Sequence, residues 1–155
     1  MIGNSRFAVC EDAIPMGHDD QGKHEGDRSC VFCSILNANE GDRKFVHETE
    51  FFFAIHDRFP VNRGHTLIIP KRHVASFFDL TQDEFTALKP MIDSVKEKLD
   101  AEFKPDAYNM GINIGKWAGQ TVFHVHVHLI PRYRGDVDHA AGGIRKFKQP
   151  LVEYE

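Results

Sequence analysis

The most constraining stretch of this chain is "GQTVFHVHVHLIPRY", Gly119 to Tyr133, in which His124, His126 and His128 alternate with valines. A period of two is the signature of a strand, so the three imidazoles are predicted to share one face, each about 6.6 Å from the next. Val125, Val127 and Leu129 then take the opposite face, under a helix, and Pro131 is expected to end the run. Imidazole has no special strand preference, and a face lined with three costs polar burial unless each finds a partner. Chemistry or metal binding therefore explains the pattern better than packing does. A single three-histidine metal cage is excluded by distance, because His124 and His128 would lie roughly 13 Å apart while metal bonds are about 2 Å long. At most two adjacent members reach one ion. A nucleophilic role uses all three: a neutral imidazole held by an acceptor at one nitrogen attacks phosphorus through the other, and a neighbouring imidazole balances charge or protonates the leaving group. The central residue, His126, is the natural attacker.

The surrounding chain indicates one domain. Residues 1–28 are polar and aperiodic and read as an N-terminal tail; residues 29–155 read as a single domain. "CVFCSIL" suits a short buried helical turn. "KFVHETE", "FFFAIHD" and "GHTLIIPK" read as a meander of antiparallel strands, with Glu48 and Glu50 near the first corner. "LTQDEFTALKPMIDSVKEKLDAEF" opens with Thr81 and Glu84 in capping-box spacing and places Phe85, Leu88, Ile92, Val95 and Leu99 on one stripe, which predicts one long helix kinked at Pro90. "AYNMGINIG", with Tyr108, Met110, Ile112 and Ile114 alternating, precedes the histidine strand. The expected class is α+β, an antiparallel sheet of about five strands with one long helix and a short N-terminal helix.

Charge and composition narrow the partners. The formal net charge of -4 argues against a nucleic-acid partner, since backbone attraction is carried by clustered Lys and Arg. No run approaches the ~18–20 apolar residues of a membrane span, and the first thirty residues lack a secretory pattern, so a soluble cytoplasmic protein is expected. Three cysteines, Cys10, Cys30 and Cys33, form no disulfide framework and point to a reducing compartment. Cys-Val-Phe-Cys alone leaves open a redox pair, a zinc half-site or coincidence.

Taken together, "HVHVHLI" preceded by "GQTV" and followed by "PRY", with "CVFCSIL", "AIHD", "GHTLIIPKRH" and "NIGKWAGQTVFHVHVH" in that order, resembles the histidine triad family over about residues 30–133, and the later "GGIR" at Gly142–Arg145 is similar to its bacterial members. The resemblance implies a HIT-like fold and a nucleotide hydrolase working through a nucleotidyl-histidine intermediate. It places the nucleophile at His126 and a phosphate-side helper at His128, and implies that the surroundings of His124 orient the nucleophile. It places a phosphoryl contact at Thr121, with Gln120 beside it, and Asn113 near the reacting phosphate. It places a ribose acceptor at Asp57 and the base pocket at Phe32, Ile35 and Ile55. By resemblance to zinc-containing members, Cys30, Cys33, His73 and His124 are expected to hold a structural zinc ion, which leaves His126 free. No P-loop pattern occurs, and no obligatory magnesium on protein carboxylates is expected.

The implied substrates are dinucleoside polyphosphates or nucleoside phosphoramidates, with a purine nucleotide or dinucleotide as partner and a homodimer as the assembly. Two alternatives accompany this: a nucleotide-binding regulatory protein with incidental catalysis, and a nucleotidyltransferase that resolves the same intermediate with a phosphate acceptor.

Overall fold

Five short strands order themselves into one antiparallel sheet in the computed structural model, which describes residues 30–146; the expected tail 1–28 and Cys10 lie outside them. The strands are β1 (His47–Glu48), β2 (Phe52–His56), β3 (Thr66–Pro70), β4 (Ala107–Gly111) and β5 (Val127–Arg132), in spatial order β1-β2-β3-β5-β4. The last strand made is thus inserted between β3 and β4. Two α-helices flank the sheet, α1 (Val31–Leu36) and α2 (Gln82–Phe103).

The start of α2 follows its sequence signal closely. Thr81 Oγ1 accepts from the Glu84 N–H at 3.2 Å and the Glu84 carboxylate accepts from the Thr81 N–H at 2.8 Å, so the capping box satisfies two orphan donors. The same carboxylate takes a two-pronged ion pair from Arg72 at 2.7 and 2.8 Å, tying the loop after β3 to the helix. The helix runs unbroken past Pro90. Its buried side is Glu84, Leu88, Met91, Val95 and Leu99, so the stripe is rotated from the expected one: Phe85 is exposed and Met91 takes an inner place. Phe85 instead borders an open apolar cleft with Phe77, Ile92, Met110 and Ile112.

The two faces of the sheet carry different cores. Phe52, Ala54, Ile68, Val127 and Leu129 pack under α2 with Leu88, Met91, Val95 and Leu99. Phe53, Leu67 and Ile69 face the other way and meet Cys30, Phe32 and Cys33 of the α1 region. This second face carries the site.

The strand expectations need three corrections. β5 begins only at Val127, so His124 and His126 precede it; continuing the β3 ladder from the Ile68–Val127 pair would require an N–H from Pro70, which has none. The Val125 N–H donates instead to the Val74 carbonyl at 2.7 Å. Second, Pro131 does not end the run but pairs with Tyr108 inside β5. The pairing with β3 has already stopped at Leu129, and the Pro131 carbonyl on that side is taken by Asn62 Nδ2 at 3.1 Å, so its missing N–H breaks no ladder. Third, β4 stops at Gly111, leaving Ile112 and Ile114 beyond the sheet, and Met110 is exposed.

Candidate functional site

Cys30 caps the N-terminus of α1 and Cys33 lies in its first turn. Cys30 Sγ is 3.4 Å from His124 Nδ1, Cys33 Sγ is 3.3 Å from His73 Nδ1, and Cys33 Sγ is 3.6 Å from His124 Nδ1. The four ligand atoms all lie within 4.8 Å of one another. Tetrahedral zinc with bonds of about 2.3 Å to sulfur and about 2.0–2.1 Å to nitrogen spaces sulfur and nitrogen at roughly 3.6 Å. The donor set fits a closed four-coordinate ion with no further position for water. The outer contacts agree: His124 Nε2 donates to the Pro70 carbonyl at 2.8 Å, which leaves Nδ1 with its lone pair facing the cysteines. Burial holds the pKa of His124 below the ordinary imidazole value, against the opposing pull of the Pro70 carbonyl.

His126 is buried and its ring is oriented by the chain itself, Nδ1 donating to the His124 carbonyl at 2.7 Å. Its Nε2 therefore carries the lone pair. Phe32, between the two cysteines, lies against both rings, 5.2 Å from His126 and 5.9 Å from His124 between centroids. The donor cluster and the ring of His126 thus share a wall.

His128 belongs to a second chain of imidazoles. The Val61 N–H donates to His65 Nδ1 at 3.2 Å, which places the His65 proton on Nε2, and that nitrogen lies 3.0 Å from His128 Nδ1. Asp57 Oδ2 is 3.5 Å from His65 Nδ1 and would favour a charged ring, but burial outweighs it and pulls the His65 pKa down. His65 is neutral and donates. His128 is accordingly left with its proton on Nε2, and burial, aided by His126 and His65, lowers its pKa to about 4. Among the described residues that Nε2 is the one buried side-chain nitrogen or oxygen without a hydrogen-bond partner. The rings of His126 and His128 stand edge to face, 5.0 Å apart. Two adjacent imidazoles therefore offer complementary atoms, a lone pair on one and an N–H on the other, which suits attack on phosphorus beside a hydrogen-bond donor to the phosphoryl group.

The remaining expected residues divide. Phe32 belongs to the core cluster against which the half-buried Ile35 and Ile55 pack, an apolar wall on the histidine face. Asp57, at the end of β2, accepts the Phe59 N–H on Oδ1 at 2.8 Å. Asn113 is half-buried just past β4, and Thr121 is exposed. Gln120, expected as a phosphate donor, is buried with its amide engaged inside the protein: Oε1 accepts from the Gly115 N–H at 2.7 Å, and Nε2 donates to the Ala75 and Val122 carbonyls at 2.8 and 3.2 Å. In this structure these bonds span the loop before the triad. The nearly complete burial of His65 and its contact with His128 come from the tertiary fold, and no local signal in "GHTLIIPK" marks them.

The HIT domain model matches residues 38–135. An uncharacterised HIT-like protein of Methanocaldococcus jannaschii is 44% identical over 109 residues, covering 69% of this chain and 81% of its own. The adenosine 5'-monophosphoramidase of Saccharomyces cerevisiae is 39% identical over 106 residues, 68% of this chain and 64% of its own. The crystal structure of a Zn-bound histidine triad family protein from Mycobacterium smegmatis superposes with a TM-score of 0.61 at 38% identity, covering 72% of this chain and 80% of that one.

Proposed function

The chain belongs to the HIT domain family, and from that premise we propose that it hydrolyses dinucleoside polyphosphates or nucleoside phosphoramidates through a covalent intermediate on His126. The observation that carries this reading is the pairing of tautomers: Nδ1 of His126 is bound to a main-chain carbonyl while Nε2 of His128 is a buried, unpartnered N–H. His126 Nε2 attacks the α-phosphorus, a P–N bond forms, and the bond to the leaving group breaks. His128 Nε2–H donates a hydrogen bond to the phosphoryl oxygen as charge builds there, and solvent, reached past the Thr121 hydroxyl at the rim, supplies the proton that the leaving oxygen or nitrogen needs. Water then attacks the phosphorus opposite His126, the P–N bond breaks to restore the neutral His126 ring, and the water's proton passes to solvent as the nucleoside monophosphate is released. Asn113 helps hold the phosphate, Asp57 accepts from the ribose, and Phe32, Ile35 and Ile55 receive a purine base. We assign Gln120 to holding the 115–120 loop.

Cys30, Cys33, His73 and His124 would hold a structural zinc ion, and the sulfur-to-nitrogen distances support that assignment. When bound it closes the donor set and fixes His124, whose carbonyl orients the nucleophile. A reducing, cytoplasmic setting suits such thiolates. Residues 29–155 are taken as one domain. A homodimer suits the open apolar cleft between Phe85 and Met110, and light scattering should return the mass of two chains.

The test is incubation with diadenosine polyphosphates and adenosine phosphoramidate, followed by product analysis. His126→Ala should lower turnover at least 10³-fold while nucleotide binding persists. Binding without turnover in the unaltered chain would favour the regulatory alternative.

A further inference from the structure

Cys30 and Cys33 do more in this fold than supply two donors. They bracket Phe32, whose ring touches both His124 and His126. They also sit at the start of a helix of six residues, far too short to persist without docking. The docking is made by Phe32 and Cys33 against Phe53, Leu67 and Ile69, and by the two sulfurs against His73 and His124. The apolar wall of the pocket is therefore held partly through sulfur.

The same two sulfurs are placed to react with each other. They are not joined in the structure. Residues three apart in a helical turn have Cα atoms about 5 Å apart, inside the range of about 4.4–6.8 Å that a disulfide spans. Closure then needs side-chain rotation with little movement of the backbone. Sulfurs joined at about 2.05 Å cannot also occupy two corners of a tetrahedron, where they stand roughly 3.8 Å apart. Disulfide and metal centre exclude one another.

We propose that Cys30 and Cys33 form a thiol-oxidation site at which a hydroperoxide dismantles the metal-binding donor set and thereby loosens the nucleotide pocket; this rests on the reading above that the set holds zinc and the pocket a nucleotide. One sulfur gives an electron pair to the peroxide, the O–O bond breaks, and water or an alcohol leaves with a proton, forming a sulfenic acid. The second sulfur attacks that sulfur, the S–O bond breaks, and water leaves. Two thiolates, one hydroperoxide and two protons give a disulfide, one water and one water or alcohol. His73 and His124 alone are too few donors to retain the ion, and α1 loses its sulfur contacts beside His126.

The test uses the full chain with Cys10→Ser, loaded with zinc and treated with excess hydrogen peroxide. Released zinc is read with a chromogenic chelator, the disulfide by peptide mass mapping, and affinity for adenosine monophosphate by calorimetry, which needs no turnover. The expected result is one zinc released per Cys30–Cys33 disulfide formed, with affinity falling at least tenfold, all restored by dithiothreitol and zinc. Retention of zinc and both thiols overturns the proposal, as does a disulfide that leaves affinity unchanged. Failure of the underlying readings is visible before peroxide is added, as a reduced protein that carries no zinc, which also overturns the proposal, or one that binds no nucleotide, which leaves the oxidation step to be decided by zinc release and mass mapping.

Discussion

Nε2 of His65 lies 3.0 Å from Nδ1 of His128, joining residues 63 positions apart. His65 is thus a positioning residue, since it fixes on which nitrogen His128 keeps its proton. His65→Phe retains ring volume but removes the donor, so His128 is free to present either tautomer. We expect kcat to fall about 10–100-fold with KM changed much less. The neighbouring His65 ring also helps depress the His128 pKa, so its loss should raise the pH at which the His128 ring signals titrate by NMR. A purely structural role would leave that titration in place.

Acid stability follows from the same pair. The unfolded chain takes up a proton at each histidine near pH 6.5, whereas folded His128 resists protonation until about pH 4 and His65 is shifted in the same direction. The unfolded state therefore binds more protons in that window, and stability, full above about pH 7, should fall as pH drops from about 6.5 toward about 4. Glu84, held below its ordinary value by Arg72, should extend the loss under about pH 4.5. Urea midpoints measured across this range check the slope, and His65→Phe should make it shallower.

Gln120→Ala should destabilise the fold by about 1–2 kcal/mol, because it removes the part-buried bonds that the Gly115 N–H and the Ala75 carbonyl make to the Gln120 amide. Gln120→Glu should do no better, since it cannot donate to the two carbonyls when ionised. Hydrogen exchange at Gly115 should rise in both variants. Unchanged exchange with lost turnover would return Gln120 to a direct role at the phosphate.

Gly64 has a positive φ of +77°, and a Cβ there would stand 2.8 Å from the Phe103 ring. Gly64→Ala should cost about 2 kcal/mol from the left-handed backbone and the clash together. The next residue is His65, so turnover should fall further than the loss of folded protein explains. Thermal unfolding and kcat measured on the same sample separate the two effects.

Local chemistry made much of this molecule legible in advance. The β1-β2-β3 meander rests on strands consecutive in the chain, and the Thr81–Glu84 box and the span of α2 rest on interactions within a few residues. So does the oriented lone pair of His126, because its partner is only two residues away. What escaped was set by distant contacts. The ladder halts before His126 because Pro70, on another strand, has no N–H. Phe85 turns outward because the burial stripe is fixed by the sheet beneath it, and helix spacing alone leaves its rotation open by one residue. The settings of Gln120 and His65 were not legible for one reason: the partners they meet, Ala75 and His128, are 45 and 63 residues away.

The position of β5 has a consequence for how the molecule is made. Because β5 is translated after β4 yet lies between β3 and β4, β4 has no partner strand until β5 emerges. Cys30 must likewise wait for His124, 94 residues downstream. On the ribosome, then, the segment that completes the sheet also delivers all three triad histidines, so the last strand and the chemistry arrive together.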